Sequence, residues 1–396
     1  MDNIEILYKE IKSGKLVFPL NEEINQISIS NVVKSFIEAT CIKGDGRLSE
    51  LSKIFSRKNH AIIFLADGFG MNFFEMLPDR SFIKENFYMQ GTSVFPSSTG
   101  PNLLSLSTGK WPGSHGDLGW ETYLNQIYDS ATLIKWERSR DKKKLSDLGL
   151  NLEEVYLEKS LLSDYKMDFL FMIPHEYKDV PLLNWISDGK ILPYKNIFDC
   201  LNFCIDRIKN NQERTFTFIY WPDIDFFAHN TGAFSEETKK TVFKLEDIFL
   251  EFKKCLPKNI SLMLTSDHGH LDVSRKRIKL QEYNEIQQML LAPISGEQRF
   301  AFLRLAENRD KFYQIFKDQF GDKFFVFDSE NISSGGLFGP NVKKEVLLRM
   351  GDTIIISQSH YSLDFSKNHN DLSGLLSDHG GLLHEEMDIP IIFYDT

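Results

Sequence analysis

The chain has 396 residues, of which 42% are hydrophobic and 26% charged, and its formal net charge is −10. These proportions suit a water-soluble globular protein, and the length asks for one large α/β core with insertions or for two domains. The acidic balance speaks against tight binding to long nucleic acid, and no apolar run approaches the roughly 20 residues of a membrane span.

Met1 to Leu20 is mixed polar and charged, with no leader-like apolar stretch, so a cytoplasmic location is expected. Residues 1–58 read as a helical or extended segment packed on the core. Strand-length apolar runs then recur at Ala61–Ala66, Asp168–Ile173, Thr215–Tyr220, Ile260–Thr265, Arg299–Leu305, Asp352–Ser357 and Ile389–Phe393. Several are apolar on both faces, as in a parallel sheet covered by helices on each side. Between them, Ile197, Cys200, Leu201, Cys204, Ile205 and Ile208 share one face of a predicted helix. Val242, Leu245, Phe249 and Phe252 mark another over 235–256, with Ser235 before it and Pro257 after it. The alternation predicts an α/β fold. The four cysteines (Cys41, Cys200, Cys204 and Cys255) form no C-x-x-C pair and fit a reduced compartment.

Two segments break the rhythm. Residues 123–166, rich in Lys, Asp, Glu, Ser and Leu, are expected to form a small helical insertion. Residues 271–376 carry strands of their own, a predicted helix over 308–320 and a glycine-rich stretch over 333–339. They read as a subdomain inserted into a core made of 59–270 and 377–396.

The chemistry-bearing residues follow the strands. Asp67-Gly68 ends the first apolar run, Asp225 and His229 follow the third, and Asp267-His268-Gly269-His270 follows the fourth. Ser377-Asp378-His379-Gly380 repeats the acid–histidine pairing near the last strand. In open α/β sheets functional groups gather at the carboxyl edge, and carboxylate plus imidazole is the donor set of divalent metals, zinc foremost. A hydroxyl run, Ser97-Ser98-Thr99, lies between Pro96 and Pro101. Such a hydroxyl becomes a nucleophile only with a base or a metal beside it, and Ser98 and Thr99 both qualify. His270 reads as facing solvent or capping its loop, His384 as a surface residue, and His115 as the brace of a turn. Asp223 and Asp378 read as supporting neighbours of the metal ligands.

The ordered motifs Asp67-Gly68, Phe95-Pro96-x-x-Thr99-x-Pro101-Asn102, Thr108-Gly109-x-x-Pro112-x-x-His115-Gly116, Asp225-x-x-x-His229, Asp267-His268-Gly269 and His379-Gly380 resemble those of the alkaline phosphatase superfamily. Within it, the type I phosphodiesterase/nucleotide pyrophosphatase family is most similar. The resemblance implies a three-layer α/β/α core with a mostly parallel central sheet and an inserted α+β subdomain. It also implies two divalent metal ions, zinc by preference, with manganese or iron compatible with one site. Asp67, Asp267, His268 and Thr99 would hold one ion, and Asp225, His229 and His379 the other. Thr99 would be the nucleophile of a phosphodiesterase that passes through a phosphothreonine. A small phosphorylated substrate is implied, a nucleotide or a related diester. Gly119 stands where the family's phosphate-contacting asparagine would fall, which leaves Asn102 and Trp120 as the substrate-binding candidates. The alternatives are a phosphomonoesterase or phosphomutase-like enzyme with the same site, and a non-catalytic, metal-stabilised nucleotide-binding protein.

Overall fold

The computed structural model describes residues 3–19, 28–41, 52, 58–164, 168–273, 277–306, 309–365 and 374–396. Parts of the amino-terminal segment expected over 1–58 therefore lie outside the described residues. In chain order the first nine strands are β1 (His60–Ala66), β2 (Phe87–Thr92), β3 (Thr122–Leu124), β4 (Asp129–Thr132), β5 (Glu137–Arg138), β6 (Asp168–Pro174), β7 (Ile191–Tyr194), β8 (Thr215–Trp221) and β9 (Ile260–Thr265). The central sheet has seven strands in the order β2, Asp388–Asp395, β9, β1, β8, β6, β7. From β9 to β7 every pairing is parallel, and only the Asp388–Asp395 strand runs against its neighbours.

β1 shows why the sheet is covered on both sides. All seven of its residues are buried, and alternate side chains enter different cores. Ala61, Ile63 and Leu65 meet Val32 and Val33 of the helix Ile29–Cys41 and Leu103 and Leu106 of the helix Thr99–Thr108. Ile62, Phe64 and Ala66 meet Cys200, Cys204 and Ile208 of the helix Ile197–Lys209 and Val242, Leu245 and Phe249 of the helix Glu236–Cys255. The period-two pattern of a strand thus feeds two layers of helices, and each fully buried Leu, Ile or Phe contributes about 1.5–3 kcal/mol. The Ser235 hydroxyl accepts the Thr238 N–H at 3.1 Å and starts the helix where its capping signal stands.

β2 and β7 escape a reading based on apolar runs because they lie at the two sheet edges and are largely solvated. The region 123–166 departs from the expected helical insertion. It begins with the antiparallel sheet β3–β4–β5, followed by a 3-10 turn at Ser146–Leu148 and a single helical turn at Leu152–Val155. The tight turn closed by Ile127 N–H on the Leu124 carbonyl joins β3 to β4, a constraint that composition does not register. Between β9 and the Asp388–Asp395 strand lies a four-stranded antiparallel sheet in the order Ser295–Glu297, Phe300–Leu303, Thr353–Ser357, Phe324–Asp328. Phe312, Phe316 and Phe320 of the helix Arg309–Phe320 pack against this sheet. Among the described residues no helix is long and apolar enough to cross a membrane.

Candidate metal centre

Three neighbouring parallel strands end at one edge, and each delivers an acid. Strands β9, β1 and β8 are adjacent, with Leu65 opposite Thr265 and Ala66 opposite Trp221. The chain therefore leaves the sheet at Asp67, Pro222 and Ser266-Asp267 side by side. After β8 the helix Asp223–Thr231 carries Asp225 and His229 one turn apart on a common face. Gly68 has φ +75°, and a Cβ there would lie 2.9 Å from the His270 ring, so glycine is required for the close approach of the β1 and β9 loops.

Asp267 Oδ1 accepts the backbone N–H groups of Gly68 and His268, both at 3.1 Å, while its buried Oδ2 has no hydrogen-bond partner. Asp67 is arranged alike: Oδ2 accepts the Tyr220 hydroxyl, and buried Oδ1 has no partner. Both unpaired oxygens face His268, whose Nε2 lies 3.3 Å from Asp67 Oδ1 and 3.5 Å from Asp267 Oδ2. Thr99 Oγ1 stands 3.2 Å from the same nitrogen. Thr99 opens the helix Thr99–Thr108, so its hydroxyl sits at the positive end of that helix. Burial, together with Asp267 and Asp225, pushes the Asp67 carboxyl well above the usual carboxylate range. Buried acids with unpaired oxygens are costly, and a divalent cation is the partner that this donor set fits.

A second cluster adjoins the first. Asp225 Oδ1 lies 2.8 Å from His270 Nε2, 3.3 Å from His229 Nε2 and 3.7 Å from His379 Nε2. His379 and His229 bring their Nε2 atoms within 3.2 Å of each other, and the His268 and His379 rings stack with centroids 3.7 Å apart. The Nδ1 atoms of His229, His268 and His379 each meet a backbone carbonyl, of Ser377, Gly269 and Ser97 respectively, at 2.9–3.1 Å. A carbonyl only accepts, so Nδ1 carries the proton and Nε2 is left to present a lone pair to a metal. Burial works against charge on His229, but Asp225 overrides it and raises the imidazole to about 9. Burial likewise opposes ionisation of Asp225, yet His229 and His270 hold it well below the usual range. His379 is pushed well below the imidazole range by burial, and His270 down to about 3.

All seven residues that the resemblance assigns to the metals (Asp67, Thr99, Asp225, His229, Asp267, His268 and His379) thus stand together. His270 departs from its sequence reading: it is fully buried, bonded to Asp225 and 3.0 Å from Ser377 Oγ through Nδ1. Its signal was the bare i+2 spacing from His268, which does not say on which side of a loop a ring falls. Asn102 does not reach the cavity. Its side chain is fully buried, accepts the Val94 N–H and donates to Ser93 Oγ and the Ser98 carbonyl, so it shapes the loop before Thr99. Trp120 does line the cavity, with Lys135 Nζ 5.0 Å from its ring centroid. His115 braces its turn through Ser105 Oγ at 3.0 Å. Asp223 pairs with Lys244 at 2.9 Å, and Asp378 accepts the His379 N–H at 3.0 Å. Glu297, contributed by the smaller sheet, also enters the cavity and was marked by no motif. The cavity measures about 870 Å3, enough for a nucleotide-sized ligand.

A family model described as type I phosphodiesterase / nucleotide pyrophosphatase matches residues 61–382. The mouse protein named bis(5'-adenosyl)-triphosphatase enpp4 is 28% identical over 226 residues, which cover 54% of this chain and 47% of that protein. The human protein of that name is 24% identical over 344 residues, covering 81% and 72%. The chain thus spans about half the length of the mouse relative and more of the human one. Among solved structures, murine ectonucleotide pyrophosphatase/phosphodiesterase 5, an inactive form in complex with AMP, superposes with a TM-score of 0.64 at 19% identity, covering 86% of this chain and 88% of that one. A phosphonoacetate hydrolase from Sinorhizobium meliloti 1021 in complex with phosphonoformate gives a TM-score of 0.62 at 16% identity, covering 85% and 90%. At these identities the structural likeness concerns the fold.

Proposed function

The chain belongs to the type I phosphodiesterase/nucleotide pyrophosphatase family, and on that footing we propose that it is a metal-dependent hydrolase of phosphoric esters, acting on nucleotide diesters or pyrophosphates through Thr99. The observation that carries this reading is the meeting of three strand-end acids, three histidines and one helix-start hydroxyl at a single sheet edge. Asp67, Asp267, His268 and Thr99 would hold one cation, and Asp225, His229 and His379 the other, with His270 fixing the Asp225 carboxylate. Two zinc ions bound there would supply Lewis-acid charge that acidifies a hydroxyl and neutralises oxygens of the phosphoryl group.

The chain's own groups account for the rest. The Thr99 hydroxyl, fixed at the start of its helix, attacks phosphorus in line with the departing oxygen and becomes a phosphothreonine. Water then attacks from the side the leaving group vacated and frees Thr99. Two inversions give net retention. Trp120, Tyr177 and Phe226 on the cavity wall offer apolar surfaces for a base, with Lys135 and Lys144 for further phosphates. The names of its relatives make dinucleoside polyphosphates the first substrates to assay.

The test is Thr99→Ala in the zinc-loaded full chain. Turnover of an aryl phosphodiester is expected to fall more than about a thousandfold while zinc content, by elemental analysis, stays near that of the parent. Unchanged turnover with zinc retained, or net inversion at a chiral phosphorothioate, would refute the nucleophile assignment.

A further inference from the structure

Trp120 lines the cavity beside the metal cluster and also a second cavity of about 400 Å3. A narrow gap between the two is bordered by Trp120, by Glu297 and Gln298 from the first and by Glu121 and Phe365 from the second. The two cavities are therefore neighbours across one indole. The second lies between the sheet β3–β4–β5 and residues 281–294 of the inserted subdomain, and its size suits a small organic ligand.

Leu290, Leu291, Ile294 and Phe365 make an apolar wall, with Tyr128 beside them. Tyr128 and Leu291 are 81% and 72% exposed, which leaves apolar surface for a ligand to cover. Gln281 belongs to the same wall, and neither its buried Nε2 nor its buried Oε1 has a hydrogen-bond partner among the described residues. An unpaired buried amide is costly. Glu121 and Asp129 are the acids of the cavity, and Asp129 is bound by Arg140 Nε at 2.9 Å. Those acids disfavour a phosphate or a carboxylate inside. An uncharged base suits them. Its face stacks on an aromatic ring such as Tyr128 or Phe365, and adenine sets an N6 donor beside an N7 acceptor, the pair that one glutamine amide reads.

Phosphates have a separate path. Residues 135–144 hold six cations and two acids, in a chain whose net charge is −10. Lys135 and Lys144 line the catalytic cavity, and Lys135 Nζ lies 5.0 Å from the Trp120 ring centroid. Arg140 and Lys142, with side chains 61% and 40% exposed, stand at the mouth of the second cavity. Lys142 and Lys144 share the single carboxylate of Glu137, at 3.8 and 3.6 Å, so the hairpin keeps an excess of positive charge between the two cavities.

We propose that the second cavity is a nucleoside subsite, which takes the far base and sugar of a dinucleoside polyphosphate while the phosphates run from the metal cluster along Lys135 and the 135–144 hairpin. The inference rests on the phosphoryl-transfer reading above and extends it to the leaving half of the substrate.

The experiment is calorimetric binding to the zinc-loaded full chain of two ligands in which methylene groups replace the oxygens that bridge phosphorus atoms. One is diadenosine triphosphate. The other is the γ-methyl ester of ATP, equal in charge and lacking only the second nucleoside. The parent is expected to bind the first about tenfold or more tightly than the second, and Gln281→Leu should reduce that ratio about threefold or more, the size of one or two hydrogen bonds. Ala292→Phe, which adds a ring to the cavity wall, should bring the ratio to within about twofold of one. Both ligands are read on one preparation, so a smaller folded fraction or a lower zinc content cancels. A parent ratio near one overturns the proposal, and so does a ratio that neither variant changes. A γ-hexyl ester bound as tightly as the dinucleotide, with no effect of Gln281→Leu, would make the cavity a site for apolar chains and overturn it too. If Ala292→Phe does not fold, the parent, Gln281→Leu and the hexyl ester decide. The expected ratios without hydrolysis of diadenosine triphosphate or of an aryl phosphodiester would sink the proposed function and leave the subsite standing. Hydrolysis of both with a parent ratio near one would do the reverse.

Discussion

Truncating Glu386 to alanine removes one half of an ion pair in which both side chains are fully buried. Glu386 Oε1 accepts Arg299 Nε–H at 2.9 Å and the Gly381 N–H at 2.8 Å, while Oε2 accepts Arg299 Nη2–H at 3.1 Å and the Leu383 N–H at 3.2 Å. The change leaves a guanidinium without its counter-charge and two backbone donors without acceptors. Breaking a buried pair from one side costs about 3–5 kcal/mol, so we expect a loss of about 4 kcal/mol, a large share of the 5–15 kcal/mol that typically holds a protein folded. Removing both charges with Arg299→Met/Glu386→Gln leaves an acceptor for Gly381 and should cost only about 1–2 kcal/mol. Urea unfolding of the parent, Arg299→Met, Glu386→Gln and the double variant closes the double-mutant cycle, with Glu386→Ala measured beside them. Because Gly380 to Leu383 continues directly from His379, Glu386→Ala should also release zinc at lower chelator concentration than the parent. A cost below about 1 kcal/mol for Glu386→Ala, or a double variant as unstable as the sum of the singles, would refute the reasoning.

Stripping the metals with a chelator should lower the melting temperature, and zinc at a hundred times its dissociation constant should restore about 2.7 kcal/mol per site. A melting temperature indifferent to both would contradict the cation assignment of the unpaired Asp67 and Asp267 oxygens. Acid stability offers a separate check through His115, which burial lowers to about 3. Its neutral form favours the folded state above the unfolded value of 6.5, and that contribution is lost as pH falls from 6.5 toward 3, by about 1.4 kcal/mol per unit. Urea midpoints between pH 6.5 and 4 should therefore drop less steeply for His115→Gln than for the parent, and identical slopes would refute it.

The legible part of this protein is its repeating grammar of apolar strands ending in acids. Strands such as β1, β8 and β9 are apolar on both faces because helices cover both, so the acids that follow them, Asp67 and Asp267 at the strand ends and Asp225 in the helix just after β8, stand out in one dimension. The edge strands β2 and β7, half solvated, carry no such signature. The hairpin β3–β4 depends on a turn rather than on composition. Side-chain direction was still less legible. His270 shares its loop with His268, and only the crossing of the loops after β1, β8 and β9 turns it onto Asp225. Asn102 belongs to a recognisable motif, yet the start of the helix at Thr99 carries it inward to Ser93 and Ser98.

What the linear order determined by itself was the α/β core and the residue types that converge on the carboxyl edge, since strand period and strand-end chemistry are local properties. Which groups touch was decided in three dimensions. Glu297 lies almost 200 positions from Ser98, and the pairing of Arg299 with Glu386 spans nearly 90, so only the docking of the smaller sheet against the core loops brings that carboxyl to the cavity. Contacts of that range depend on how the sheets pack, and packing is a property of the whole chain.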